Sequence, residues 1–128
     1  MKLEEMVDKG ILKSIPNPAK EPYEIKTTQP ELTFMGDDNQ PDFGVLEITM
    51  YPARRVIEFK SLKLYLQQYR NIVISYERCI NTIYDHLMQV YKPDSLKLTL
   101  SCNPRGGISS ILTIDSKVRE EAKAQKES

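Results

Sequence analysis

The stretch Glu58-Phe59-Lys60-Ser61-Leu62-Lys63-Leu64-Tyr65 lies where an apolar strand pattern gives way to a helical one. One carboxylate and two lysines fall within six residues at this junction. A carboxylate can accept paired hydrogen bonds from a polar heterocycle, and lysines at the start of a helix can bind phosphate groups. The segment therefore predicts both a change of secondary structure and a binding site.

Strand patterns lie on both sides of this junction. Residues 45–51 alternate apolar and polar side chains, and residues 54–59 form a second predicted strand, paired with the first as a hairpin. Residues 95–102 alternate most clearly, and residues 108–114 return after a Pro-Arg-Gly-Gly turn. Four strands in two consecutive pairs are predicted.

Two amphipathic helices separate the strand pairs. Ser61 is the predicted N-cap of the first helix, and the second begins near Ser75 and ends at Pro93. Their apolar stripes have helical spacing and comprise Leu62, Tyr65, Leu66 and Tyr69, then Tyr76, Ile80, Ile83, Tyr84, Leu87 and Tyr91. The order ββααββ predicts an α+β domain with two helices on one face of an antiparallel four-stranded sheet. The open sheet edges of such a domain predict oligomerisation.

The chain divides into three predicted regions. Residues 1–30 form a proline-rich N-terminal arm in which residues 23–28 have the pattern of an edge strand. Residues 31–114 form the domain, beginning with a short extended piece at 31–35. Residues 115–128 form a charged flexible tail, for which frayed helix and disorder both remain open.

Composition excludes several classes of protein. A formal net charge of zero provides no general field for nucleic acid or an anionic membrane. No apolar run approaches the ~20 residues of a membrane span and the N-terminus lacks a signal-peptide core, so a cytoplasmic protein is expected. Cys79, Cys102 and the single histidine, His86, predict neither a disulfide framework nor a metal site.

The octapeptide resembles the signature of the NADPH-dependent 7-cyano-7-deazaguanine reductases of queuosine biosynthesis. That signature is Glu, Ser or Leu, Lys, Ser or Ala, an apolar residue, Lys, Leu and an aromatic residue, and this chain departs from it only at Phe59. Residues 40–43 (Gln-Pro-Asp-Phe) and 105–107 (Arg-Gly-Gly) match two further family motifs. The resemblance covers residues 31–114, and the motifs align without gaps after Gln40.

The resemblance implies a fold, a reaction and a partner. The family has the tunnelling fold, whose ββααββ units form rings with active sites between neighbouring subunits. Its members reduce a small nitrile base to 7-aminomethyl-7-deazaguanine with NADPH, in a pathway of tRNA modification. A homo-oligomer with intersubunit sites is therefore expected, without direct binding of nucleic acid.

The resemblance also assigns the substrate site. Asp42 corresponds to the general acid, and Glu58 and Glu77 to the carboxylates that bind the base. Ile57 and Phe59 flank Glu58 and belong to the same implied pocket. Tyr76 stands where the family has histidine, and it can stack and donate one hydrogen bond but cannot be a cation at neutral pH. Read without the family, Asp42 caps the following strand or turn, and Glu58 lies on the solvent side of a strand. Glu77, near a helix start, then compensates the helix dipole.

The cofactor site implied by the resemblance has two parts. Lys60, Ser61 and Lys63 correspond to the phosphate-binding segment, and the two lysines lie three residues apart on one helical face. Arg105 and Gly106 belong to the Arg-Gly-Gly turn, where arginine is a candidate phosphate ligand. Solvated surface lysines and a plain hairpin turn are the alternative interpretations of these residues.

The nucleophile of the family is missing from its expected place. The loop before Gln40 is one residue short, and Met35 or Gly36 stands where the family has cysteine. Neither residue can add to a nitrile. Three hypotheses follow: a nitrile reductase, a binding module that has lost catalysis, and another tunnelling-fold enzyme acting on a pterin-like or deazapurine ring.

Overall fold

The computed structural model describes residues 6–36, 40–104 and 106–127. In these residues it contains the strands β1 (Ser14–Pro16), β2 (Ile25–Met35), β3 (Pro41–Tyr51), β4 (Arg55–Ile57), β5 (Ser95–Cys102) and β6 (Ile111–Asp115). The helices are α1 (Phe59–Gln67), α2 (Tyr76–Tyr91) and α3 (Ser116–Glu127), with short 3-10 turns at Lys9–Ile11 and Gln68–Asn71. The main antiparallel sheet has the spatial order β2-β3-β5-β6, and β1 pairs with β4 in a separate two-stranded sheet.

The predicted α+β class is confirmed by the arrangement of buried side chains. Apolar side chains at alternate positions of β3 and β5 are buried, namely Leu46, Ile48, Met50, Leu96, Leu98 and Leu100. The predicted helical stripes are also buried, except that Tyr76 is only partly so. These two apolar surfaces form one core. Among the described residues, no helix is long and apolar enough to cross a membrane.

The predicted hairpin between residues 45–51 and 54–59 is wrong. Strand β3 is bordered by β2 on one edge and β5 on the other, which leaves no edge for β4. Strand β4 pairs instead with the N-terminal arm, where Ser14 lies opposite Ile57 and Pro16 lies opposite Arg55. This contact between distant parts of the chain has no signature in local periodicity.

Strand β2 joins the two extended pieces that the sequence separates at Pro30. Its register against β3 shifts between Gln29 and Leu32, and such a bulge accommodates a proline on an outer strand of the sheet. The charged tail, for which two outcomes were open, is helical from Ser116 to Glu127.

The predicted N-cap of the first helix is also wrong. Helix α1 begins at Phe59, and the side chain of Glu58 caps it by accepting a hydrogen bond from the Ser61 N–H at 2.8 Å. Ser61 is buried, and its Oγ accepts the N–H of Lys13 at 2.9 Å and donates to the Glu58 carbonyl at 2.7 Å. Because Ser61 lies inside the first turn and its hydroxyl already bonds Lys13 and Glu58, the Glu58 carboxylate is the group that caps the helix.

A polar network lies inside the core between α1 and α2. The Tyr65 hydroxyl lies 2.7 Å from the Tyr69 hydroxyl and 2.6 Å from His86 Nδ1. Burial raises the pKa of both tyrosines, so both hydroxyls stay protonated at neutral pH. The Tyr65 hydroxyl is the hydrogen-bond partner that Tyr69 and His86 share. Because an unpaired polar group in a core is costly, loss of this hydroxyl would destabilise the fold.

We expect Tyr65→Phe to lower the free energy of unfolding by about 1–3 kcal/mol, because Tyr69 and His86 each lose a buried hydrogen-bond partner. Urea denaturation measures the change. Tyr84→Phe is the matched control, since the Tyr84 hydroxyl takes no part in this network. Equal losses in the two variants would contradict a structural role for the network.

Candidate functional site

The site residues predicted from the sequence fall into two groups in the structure. Asp42 starts β3, and Tyr76 and Glu77 start α2. Glu58 and Lys60 lie at the start of α1. We call the first group, together with Cys102, the Asp42 cluster. The second group lines a cavity of about 370 Å³, here called the Glu58 cavity, whose lining residues are Ile11, Lys13, Glu58, Lys60, Ser61 and Leu64.

The sheet register brings Cys102 close to Asp42. Cys102 lies opposite Gly44, two residues along β3 from Asp42 on the same face. Such diagonal neighbours on an antiparallel pair lie within reach of one another. Asp42 is only 9% exposed, so this acid is held inside the protein rather than on its surface.

The electrostatics of the Asp42 cluster keep the thiols protonated. Burial, followed by the carboxylates of Glu77 and Asp42, raises the pKa of the Cys102 thiol. Burial, with a further contribution from Cys102, raises the pKa of Cys79 to about 12. Reactive cysteines have lowered pKa values, so neither thiol has the environment of an activated nucleophile.

Tyr76, at the start of α2, is hydrogen-bonded to the start of β3. Its hydroxyl donates to the Phe43 carbonyl at 2.7 Å, and its ring meets Phe34 edge-on with centroids 4.9 Å apart. Gly44 packs closely beside it: a Cβ at that position would lie 2.9 Å from Leu100 Cδ1 and 3.0 Å from the Ser101 carbonyl oxygen, so a larger residue would force a neighbour to shift. This contact positions the first turn of α2, where the exposed side chain of Glu77 lies close enough to act electrostatically on the Cys102 thiol.

The Glu58 cavity combines apolar walls with charged groups. Lys60 is exposed at its edge, and Lys63 lies about one turn further along α1, also exposed. Phe59 is 52% exposed, whereas the side chain of Ile57 is buried in the core. Lysine side chains and apolar side chains therefore lie together at this cavity, a composition that suits a phosphorylated ligand.

Glu58 has a structural task in addition to its predicted one. The hydrogen bond from the Ser61 N–H is the largest cause that lowers the pKa of the Glu58 carboxyl, burial opposes it, and Lys13 adds a smaller lowering effect. The carboxylate is thus ionised at neutral pH. A carboxylate has several acceptor positions, so capping α1 is compatible with binding a second donor.

Within one chain, the Asp42 cluster and the Glu58 cavity are far apart. Tyr91, at the end of α2, donates a hydrogen bond to the Lys13 carbonyl beside the cavity at 2.8 Å. Tyr76, in the Asp42 cluster, is at the opposite end of the same helix. At 1.5 Å per residue, α2 separates the two groups by about 20 Å. Glu58 and Glu77 of one chain therefore cannot bind the same base.

The structure describes only part of the loop before Gln40 and of the Arg-Gly-Gly turn. Arg105 and residues 37–39 lie outside the described residues. Gly106 and Gly107 have φ of 57° and 82°, a conformation that glycine adopts without strain. The connection from β2 to β3 is closed by a hydrogen bond from the Gly36 N–H to the Gln40 carbonyl at 2.8 Å. Met35 is held by backbone bonds to Ile72 and Ile74.

The sequence did not predict that Ile11 and Lys13 line the Glu58 cavity. They belong to the N-terminal arm, and Lys13 meets Ser61 across 48 positions of sequence. A second cavity between the arm and α2 contains none of the predicted residues. The described residues include no group of three or more His, Cys, Asp or Glu side chains that could hold a metal ion.

Known proteins resemble this chain over most of its length. The family model described as QueF-like protein matches residues 41–121. A protein of a Nitratiruptor species named NADPH-dependent 7-cyano-7-deazaguanine reductase is 36% identical over 89% of this chain and 88% of its own length. A protein of the same name from Chlorobaculum parvum is 41% identical over 72% of this chain and 80% of its own length.

A solved structure shares the fold. The apo form of the archaeosine synthase QueF-Like superposes with a TM-score of 0.65, covering 77% of this chain and 95% of that one. Its sequence identity of 15% supports the fold alone, and it confirms the predicted tunnelling fold. Together with the two reductases, the matched family model shows that the chain belongs to the QueF-like protein family, as its octapeptide predicts.

Proposed function

We propose that this protein reduces 7-cyano-7-deazaguanine to 7-aminomethyl-7-deazaguanine with NADPH, in queuosine biosynthesis. The main support is the similarity to proteins named as such reductases, one of which is 36% identical over 89% of this chain. A cytoplasmic location is part of the proposal. The small base would be the substrate before its insertion into tRNA, which fits a chain of zero formal net charge.

The proposed reaction adds two hydrides and two protons to one carbon–nitrogen triple bond. When bound, NADPH would supply one hydride in each of two successive rounds and would be released as NADP⁺ each time. Asp42, buried at the start of β3, is the proposed source of protons for the nitrogen. Glu58 and Glu77 are the proposed acceptors for the ring N–H and amino group of the base, with Phe59 and Tyr76 completing that pocket. Because the side chain of Ile57 is buried in the core, Ile57 would contribute only its main chain.

The proposed cofactor site combines two regions. Lys60 and Lys63 would bind phosphate groups at the start of α1, with Arg105 and Gly106 adding a second contact region. Ser61 already bonds Glu58 and Lys13 through its hydroxyl, so its contribution is to shape the helix start. The lysines and apolar lining of the Glu58 cavity suit a phosphate-bearing part of a dinucleotide.

We further propose that a complete site forms between two copies of the chain. The Asp42 cluster and the Glu58 cavity are about 20 Å apart in one copy, so the two glutamates meet only if neighbouring copies bring opposite ends together. Strands β2 and β6 are the outermost strands of the sheet, and their outer edges, apart from the Met35 end of β2, are proposed for such pairing. A ring of subunits joined through these edges satisfies both requirements.

A second candidate function is binding without catalysis. The sequence places no cysteine between Phe34 and Gln40, and the thiols of Cys79 and Cys102 have raised pKa values. A nitrile accepts hydride poorly until a nucleophile adds to it. A protein that keeps the base and NADPH sites but lacks this addition step would act as an accessory or regulatory subunit.

We expect the purified protein to consume NADPH when 7-cyano-7-deazaguanine is added, with 7-aminomethyl-7-deazaguanine as the product. Absorbance at the NADPH band and mass spectrometry measure the two quantities. Omission of the base is the control for background oxidation.

The outcomes separate the two candidate functions. Two NADPH consumed per amine formed supports the reductase. If both ligands bind but no NADPH is lost while a cysteine-containing reductase works in parallel, the reductase is contradicted and the binding protein is supported.

We expect Glu58→Gln and Glu77→Gln each to weaken binding of the base by about 100-fold, because each removes a charged hydrogen-bond acceptor. Glutamine at position 58 keeps an oxygen that can cap α1, so the fold is preserved. Isothermal titration calorimetry measures the affinity, and Glu21→Gln in the exposed arm is the matched control. Unchanged affinity in both site variants would refute this assignment.

A further inference from the structure

Lys13 is held at the Glu58 cavity by its main chain. Its carbonyl accepts hydrogen bonds from the Glu58 N–H at 3.1 Å and the Tyr91 hydroxyl at 2.8 Å. Its own N–H donates to Ser61 Oγ at 2.9 Å. These bonds fix the backbone of the arm against two helices, so they position the exposed side chain without using its ammonium group.

The charges around the cavity make this ammonium group important. Among the described residues, the cavity is lined by one carboxylate, Glu58, and two ammonium groups, those of Lys13 and Lys60. Without Lys13, the carboxylate would balance Lys60 and the lining would be neutral. With Lys13, one net positive charge remains beside the start of α1, and this favours an anion.

The geometry points to Lys13 as a further ligand of the cofactor, binding a phosphate group of NADPH together with Lys60. This assignment rests on the proposed function, which supplies the dinucleotide, and adds to it a residue from the N-terminal arm. Lys13 has two effects at this position: it contacts the phosphate, and it offsets the repulsion between the phosphate and Glu58. The arm thereby becomes one wall of the cofactor site.

The test is a fluorescence titration of the full-length protein with NADPH. We expect Lys13→Gln to raise the dissociation constant about tenfold at low ionic strength, and the difference from wild type to shrink in high salt. Lys13→Arg should retain most of the affinity because it keeps the charge. Lys20→Gln, at another exposed lysine of the arm and outside the cavity lining, is the matched control and should bind as wild type does.

Further readouts separate cofactor binding from a structural effect. The melting temperature of Lys13→Gln should equal that of wild type, because the anchoring bonds come from the main chain. Affinity for the base should also be unchanged. If Lys13→Gln binds NADPH as tightly as Lys20→Gln does, the inference is overturned while the proposed function stands. If wild type binds no NADPH, both are overturned.

Discussion

Strand β3 is the constraint on which the arrangement of the site depends. It is hydrogen-bonded to β2 and to β5 along most of its 11 residues, so its position within the sheet is fixed on both edges. Asp42 lies at its beginning, whereas α1 follows shortly after its end. A strand of this length spans about 30 Å, and α2 packs against β5 and β6 of the same sheet. One chain consequently carries the Asp42 cluster and the Glu58 cavity at its two ends.

The hydrogen bonds of Ser61 shape the Glu58 cavity, where the N-terminal arm meets the start of α1. The buried hydroxyl links Lys13 of the arm to Glu58 at the helix start, and Tyr91 fixes the same segment from α2. Glu58 is left with two tasks, capping α1 and, in the proposed function, binding the base. The ionised carboxylate can serve both tasks, and the hydrogen bonds from the helix start favour that form.

Much of the fold could be predicted from periodicity, because buried strands and helices leave regular apolar patterns. The stripes of α1 and α2 and the alternation of β5 are examples. The pairing of β4 with β1 could not be predicted, since it depends on residues about 40 positions apart whose contact has no local pattern. Ser61 was misjudged as a cap because its burial by the arm is a tertiary effect.

The site could be predicted only as a set of residue types. The motifs give Asp42, Glu58 and Glu77 as candidate residues, but spacing along the chain cannot reveal that α2 holds the two glutamates apart. Lys13 was missed for the same reason, since its position beside Glu58 follows from the path of the arm. The absent loop cysteine was visible at once, whereas the environment that keeps Cys102 protonated required the neighbouring carboxylates to be located.

The shared site can be tested without relying on catalysis, by mixing two binding-deficient variants. Glu58→Gln and Glu77→Gln proteins are dissociated, mixed in equal amounts and reassembled, and the number of sites for 7-cyano-7-deazaguanine is measured by calorimetry. If a site joins Glu58 of one copy to Glu77 of another, about one quarter of the sites regain wild-type affinity in a randomly mixed ring. If the mixture binds no better than the separate variants, the account of an intersubunit site is contradicted.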